Sequence, residues 1–467
     1  MTRGSVRRVR GLAQMGALLV IVALPHLLAG QSATPGVVRG AVASGVYRNL
    51  LQERGHSKEA VDARLAATFR QLFHGDPQTQ AIYYAAGNNE NGPLSYVTDV
   101  ANHDARSEGM SYGMMVAVQM DHKAEFDALW NWANTYMLIT DPKNPSVGYY
   151  AWSMNLDGTP RSDSPAPDGE EYFAMSLYFA ANRWGNGKGL YNYRAQADRI
   201  LHEMRHHGLH TGTRPFQIHP EDPPFEPKRK VDPSTRTTPQ TATVGPMVNE
   251  ESFMINFVPS LPANGFSDPS YHLPAFYELW ARWGPEEDRA FWARAAQESR
   301  KYYVQVANTA TGLSPDYANF DGTPRRTGFN PHSGDFSYDS WRVVSNWSVD
   351  QSWWAANPQA RTLSDRLQGF LFQQGIHSFA DQYTLDGKPL SNRHSPGMVA
   401  TNAVGSLAAT DGPIARAFVD ELWNTPTPSG EQRYYDGLLY MMSLLHTSGH
   451  FRVWGPPPSA KQMEIAP

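Results

Sequence analysis

Apolar residues recur along most of this chain at spacings of three, four, seven and eleven, the period of one face of an α-helix. Phe126, Leu129, Trp130, Ala133 and Met137 make one such face. Phe173, Leu177, Ala180 and Trp184 make a second, and Phe276, Leu279, Trp280 and Trp283 a third. Two of these helices end in the same tripeptide, Arg183-Trp184-Gly185 and Arg282-Trp283-Gly284, with glycine where a C-terminal cap belongs. The echo suggests repeated helical hairpins. Residues 36–75 predict a further helix pair, and strand-like alternation is scarce and short. One segment breaks the rhythm: between 208 and 246 lie Pro215, Pro220, Pro223, Pro224, Pro227, Pro233, Pro239 and Pro246. Proline at that density excludes a helix interior and predicts a long loop or excursion. No composition change divides the chain, so 36–455 is expected to be one all-helical domain, with a Pro-rich tail over 456–467.

The first thirty residues are expected to be a targeting segment. Arg3, Arg7, Arg8 and Arg10 precede an apolar run from Gly16 to Gly30, as in a secretory signal cleaved between Ala29 and Ala33. An uncleaved anchor is the other reading, although Pro25 and His26 interrupt a run that is short for a membrane span. The mature protein is therefore expected to be secreted or periplasmic. With no cysteine, it has neither disulfides nor a lipid-bearing N-terminal cysteine. A net charge of −5, without a basic tract beyond the N-terminus, points away from nucleic acid. Aromatic residues reach 12%, enough to line a binding cleft as well as fill a core.

Three carboxylates stand where loops meet helices, each beside aromatic residues: Glu108, Asp168 and Asp339. Ser107 is placed to cap a helix, which puts Glu108 in its first turn, where the helix dipole favours the charged form. A proton-donating role for Glu108 would then need burial or a second carboxylate nearby. Gly109 and Gly113 leave one face of that helix open to close approach. Asp168 precedes Gly169 and is explained equally by capping. Asp339 and Arg342, three apart, would share a helix face, either as an exposed ion pair or as a base held ionised. Tyr338 and Trp341 beside them suit a sugar face or the core. Paired carboxyls with aromatic faces are what glycoside hydrolysis requires.

The ordered runs SEGMSYGMMVAVQM (107–120), APDGEEYFAMSLYFAANRWG (166–185), SYHLPAFYELWARWG (270–284), FSYDSWRV (336–343), HSPGMVATNAVGSLAA (394–409) and RYYDGLLYMMSLL (433–445) resemble glycoside hydrolase family 8. Within it they look most like the reducing-end xylose-releasing exo-oligoxylanases. The resemblance spans roughly 75–455. It implies an all-α fold, an (α/α)6 barrel of helical hairpins, and inverting hydrolysis of β-1,4-xylosidic bonds in xylooligosaccharides. It implies Glu108 as general acid and Asp339 as general base. Asp168 would hold and distort the sugar at the −1 subsite, Tyr338 and Arg342 would accompany the base, and His394 would recognise the reducing-end sugar. The family loop runs from that histidine directly into proline; here Ser395 intervenes. No cofactor or metal is implied, the expected partner is a xylooligosaccharide, and the expected state is a monomer.

Three rival readings are open. An endo-acting member of the family (xylanase, β-1,4-glucanase or chitosanase) is the nearest. His202-Glu203-Met204-Arg205-His206 matches the zinc-protease pattern, with His210 as a third ligand, although Gly208 ends that helix at once. A non-catalytic sugar-binding protein would also carry aromatic rings, but has no use for both acids.

Overall fold

The computed structural model describes residues 39–214 and 240–455, all within one compact unit, Arg39–Pro467. The expected signal, the middle of the Pro-rich excursion and the tail lie outside the described residues. Among the described residues no helix is long and apolar enough to cross a membrane.

Two single-turn helices, α1 (Ala41–Ser44) and α2 (Leu50–Glu53), precede α3 (Lys58–His74). The predicted pair over 36–75 is thus one long helix and two short turns. Gly45 and Gly55 interrupt it, both with positive φ. Eleven further helices follow: α4 (Ser107–Met120), α5 (Lys123–Trp132), α6 (Pro167–Trp184), α7 (Tyr193–His206), α8 (Pro274–Trp283), α9 (Arg289–Val306), α10 (Trp341–Trp354), α11 (Ala360–Gln373), α12 (Pro396–Gly405), α13 (Pro413–Asn424) and α14 (Arg433–Thr447).

Even-numbered members from α4 to α14 are buried nearly all round; α4 exposes almost nothing from Gly109 to Gln119. Odd-numbered members from α3 to α13 bury one stripe. In α13 it is Ala415, Phe418, Val419 and Leu422, and in α7 it is Tyr193, Ala197, Ile200, Leu201 and Met204. An all-round apolar helix must sit inside, and a one-stripe helix must face water. The packing follows. α4 meets α6, α8 meets α10, α10 meets α12, α12 meets α14, and α14 returns to α4. Tyr172 packing on Phe276, with Tyr277 donating to Glu171, joins α6 to α8. Each outer helix lies against an inner one, as α5 on α4, α7 on α6 and α9 on α8. This is an (α/α)6 barrel.

Short antiparallel ribbons decorate it. β1 (Tyr83–Asn89) pairs with β2 (Gly92–Val97), and β4 (Ser153–Asn155) with both β3 (Asp104–Arg106) and β5 (Pro160–Ser162). β6 (His210–Arg214) pairs with β7 (Gln240–Val244), so the ends of the predicted loop form a ribbon. A last short pair, β8 (Val248–Asn249) with β9 (Met254–Ile255), follows. The repeated tripeptide ends its two helices differently: Gly185 has φ +81°, whereas Gly284 is extended with a backbone any residue adopts.

Candidate active site

The inner helices all start at one end of the barrel, and their first residues converge there. Glu108 is the second residue of α4, Asp168 the second of α6, and Asp339 lies just ahead of α10. Helix N-termini carry partial positive charge and exposed N–H groups, so this end favours carboxylates.

Arg342, on the first turn of α10, is the hub. Its Nη1 donates to Glu108 Oε2 (2.9 Å), Asp168 Oδ2 (2.9 Å) and the Tyr112 hydroxyl (2.8 Å). Its Nη2 donates to Ser270 Oγ (2.7 Å) and Asp339 Oδ1 (3.1 Å), with Asp268 Oδ2 at 4.0 Å. Its side chain is only 5% exposed, so the ion pair with Asp339 is not the surface pair that spacing alone allowed. One planar guanidinium thereby fixes three of the acids singled out by sequence and faces a fourth. Asp339 keeps 32% of its side chain accessible, the most open of the four.

Glu108 is pushed up to about 7, first by burial, then by the charges of Asp168 and Asp339, with Arg342 opposing. Sequence reasoning asked for burial or a second carboxylate nearby; both act, and burial leads. Ser107 is not the cap: α4 starts on Ser107 itself, and its Oγ has no hydrogen-bond partner. That hydroxyl is instead packed against Gly169, where a Cβ would come within 2.5 Å of it. Asp168 likewise sits inside the first turn of α6 rather than ahead of it, with Oδ1 accepting from the Gly169 amide (3.0 Å). Burial raises its pKa while Arg342 pulls it down.

Several residues that the sequence did not single out complete the site. Tyr434 donates to Glu108 Oε1 at 3.2 Å. Asp316, fully buried, accepts from the Ser337 amide (3.2 Å), the Ser337 hydroxyl, the Ser340 amide (3.1 Å) and the Ser340 hydroxyl (3.0 Å). It thus ties down the turn that carries Tyr338 and Asp339. Burial, then the Asp339 charge, pushes it up to about 7 against those four donors. Asp268 accepts from the Ser270 amide (2.7 Å), and its other oxygen has no hydrogen-bond partner. Burial, then Asp339, raises its pKa well above the carboxylate range. Sequence signals existed for Tyr434, which lies in the run 433–445, and for Asp268, as an Asp-Pro-Ser helix start.

The cleft above Glu108 and Asp339 is walled by Asn102, Arg106, Tyr338, Arg393, Tyr434 and Tyr435. Tyr338, 49% exposed, offers a ring beside buried Trp341, which is 5.2 Å away. His394 is not brought to this wall. Its Nδ1 pairs with the Phe379 carbonyl (2.8 Å), its ring edges onto Phe379, and Nε2 lies 3.6 Å from Glu421. Arg393 faces the cleft instead, held by Asp381 (3.0 Å) and Asp436. Ser395, the departure from the family loop, caps α12 and donates to Asp436 (2.6 Å).

The zinc-protease pattern is used structurally. His206 Nε2 pairs with Asp288 (2.6 Å), which also takes Arg205 (2.7 Å), and the Glu203 carboxylate packs on Gly148. Among the described residues no three histidine or acidic side chains converge as a metal site.

Two acids on separate nitrogens of a buried arginine, at the mouth of a helical barrel, define a glycosidase-type cleft. Comparison with known proteins agrees. The family described as "Glycosyl hydrolases family 8" matches residues 89–213 and 263–449. The chain belongs to this family. It is 43% identical, over 89% of its length and 99% of the relative's, to the reducing-end xylose-releasing exo-oligoxylanase Rex8A of Paenibacillus barcinonensis. It is 41% identical to the reducing end xylose-releasing exo-oligoxylanase of Halalkalibacterium halodurans, over 89% of this chain and 97% of that one. A family 8 xylanase from Teredinibacter turnerae, solved as a catalytic mutant with xylohexaose, superposes with a TM-score of 0.81 at 48% identity. That match covers 89% of this chain and all of that one. The family match skips residues 214–262, which hold the Pro-rich excursion.

Proposed function

We propose that this protein hydrolyses β-1,4-xylosidic bonds of xylooligosaccharides with inversion, releasing xylose from the reducing end. The observation that carries the chemistry is the sharing of Arg342 by Glu108 and Asp339. Glu108, kept protonated near neutrality by burial, gives its proton to the departing glycosidic oxygen. Asp339, open to solvent, takes a proton from a water that attacks the anomeric carbon from the opposite face of the ring. The C–O bond to the leaving sugar breaks as the new one forms, and solvent exchange resets both carboxyls. Inversion by this route needs the two carboxyl groups about 6.5–9.5 Å apart, with a water between. Both carboxyls rest on Arg342, one on each terminal nitrogen. Asp168, on the same nitrogen as Glu108, belongs to the −1 sugar.

The exo preference rests on the two exo-oligoxylanase relatives. Arg393 taking the cleft position favours endo cleavage as a second reading, as does the 48% identity to a xylanase seen with xylohexaose. Xylohexaose labelled at its reducing end separates them, since labelled xylose as the first product supports the exo reading and labelled xylobiose or longer fragments overturn it. Glu108→Ala and Asp339→Ala should each abolish turnover but keep ligand binding; turnover in both would refute the assignment. The N-terminal pattern supports export, and the working state is taken as the monomer.

A further inference from the structure

A polar cavity lies on the barrel axis behind Arg342. All six inner helices reach it, through Tyr112, Tyr172, Phe276, Arg342, Thr401 and His446. On α10 its lining steps from Arg342 to Asn346 to Val349, and on α14 from Leu439 to Ser443 to His446. Spacings of four and three keep each set on one helix face. Such a stretch of helix rises about 10 Å, so the cavity runs roughly two turns inward from the guanidinium. Its volume open to water centres is about 30 Å³. Each buried water needs about 10–15 Å³ of such space and two to four polar partners, so about two molecules fit.

The polar partners are there. The Tyr172 hydroxyl, the Asn346 side-chain oxygen, the Ser443 hydroxyl and the His446 ring nitrogens have no hydrogen-bond partner among the described residues. Asn346 gives its amide to the Ser270 carbonyl (2.7 Å), and Tyr172 packs edge-on against Tyr112 at 4.5 Å. Burial pushes His446 down to about 3, so its imidazole is neutral, with one donor and one acceptor to place. An apolar cavity stays dry, whereas buried polar groups left unmet are costly. The need is sharpest at the mouth end. The Tyr112 oxygen accepts from Arg342 Nη1 at 2.8 Å, and its own proton meets no acceptor among the described residues. Tyr112 can turn a lone pair to the guanidinium only while that proton is directed elsewhere.

We propose that this axial cavity binds water, about two molecules, which accept the Tyr112 proton and so hold Arg342 from behind. Tyr112 and the water are positioning groups, since they reach the reaction only through Arg342 and its bonds to Glu108 and Asp339. Their effect on turnover rests on the reading of Glu108 as the acid; the binding of water does not.

High-resolution crystals of the wild-type protein should show ordered water bonded to Tyr112 in the cavity, and should take up no xenon there under pressure. Xenon in the cavity, or no ordered water in it, overturns the proposal. Ser443→Leu fills the cavity from α14 and should expel the water. kcat is then expected to fall about tenfold with KM little changed. The alkaline limb of kcat/KM should also move to higher pH. Arg342 draws the Glu108 pKa down and does so less well once loosened, with Asp168, Asp339 and Arg106 left around it. A protein that was merely destabilised would keep its limb in place. Tyr112→Phe has no proton to direct, so adding Ser443→Leu to it should cost nothing further. Full kcat and an unmoved limb in a Ser443→Leu protein that has lost the water overturn the positioning role. The wild-type crystals decide the binding of water whether or not that variant folds. If Glu108→Ala stays active, the acid reading fails on its own and the water result stands apart from it.

Discussion

The hydroxyl of Tyr434 reaches Glu108 through a space that exists because residue 109 is glycine. A Cβ there would stand 2.5 Å from Tyr434 Cε2 and 2.6 Å from its hydroxyl. The tyrosine donates to Glu108 Oε1 at 3.2 Å, on the side of the carboxyl away from Arg342. One missing methyl therefore lets α14 orient the acid carried by α4.

Gly109→Ala is accordingly expected to push Tyr434 off Glu108. Overpacking of this kind costs about 1–3 kcal/mol. Thermal unfolding should show that loss, and kcat should fall further than the lost stability explains. Tyr434→Phe in the Gly109→Ala background should then add little to the loss of kcat, because the hydrogen bond is already gone.

On the proposed reading Glu108 must be protonated to act as the acid, so kcat/KM should fall as pH rises through about 7, the value to which burial and neighbouring carboxylates lift it. Asp168 contributes to that lift by its negative charge. Removing the charge lowers the pKa of Glu108, so Asp168→Asn should move the alkaline limb to lower pH, alongside a drop in turnover. An unmoved limb would mean that another group sets it.

Asp316 is buried, and four hydrogen bonds to Ser337 and Ser340 let it fix the turn that bears Asp339. Misplacing a reacting group by about 1 Å costs on the order of a hundredfold in rate. Asp316→Asn should lower kcat on that scale with KM little changed. In an Asp339→Asn background it should add nothing, because Asp316 acts through Asp339. A loss of equal size in that background would show a general structural role instead.

The helical class of the fold was legible because the inner and outer helices keep their periods, and because ordered motifs fall at the starts of α4, α6, α10 and α12. Glu108, Asp168, Asp339 and Arg342 were found for the same reason. What they do to one another was not. Arg342 lies 234 residues from Glu108 in sequence, and its burial turns a surface-type pair into the hub of the site. Asp316 and Tyr434 act entirely through such long-range contacts. His394 and Arg393 show the limit from the other side: adjacent residues in a loop point opposite ways, and the packing of Phe379 decides which faces the cleft. Ser107 shows another, where a favourable capping residue became a buried contact for Gly169 because α6 packs against it.

The central claim, that Glu108 and Asp339 act across one guanidinium with a water between them, is tested most directly by the configuration of the first product. Proton NMR of xylotriose hydrolysis, recorded before mutarotation, should show the newly formed reducing end appearing as the α-anomer from the β-linked substrate. Appearance of the β-anomer would mean retention, a covalent intermediate and carboxyls only about 5–5.5 Å apart in the working enzyme, and would contradict the account.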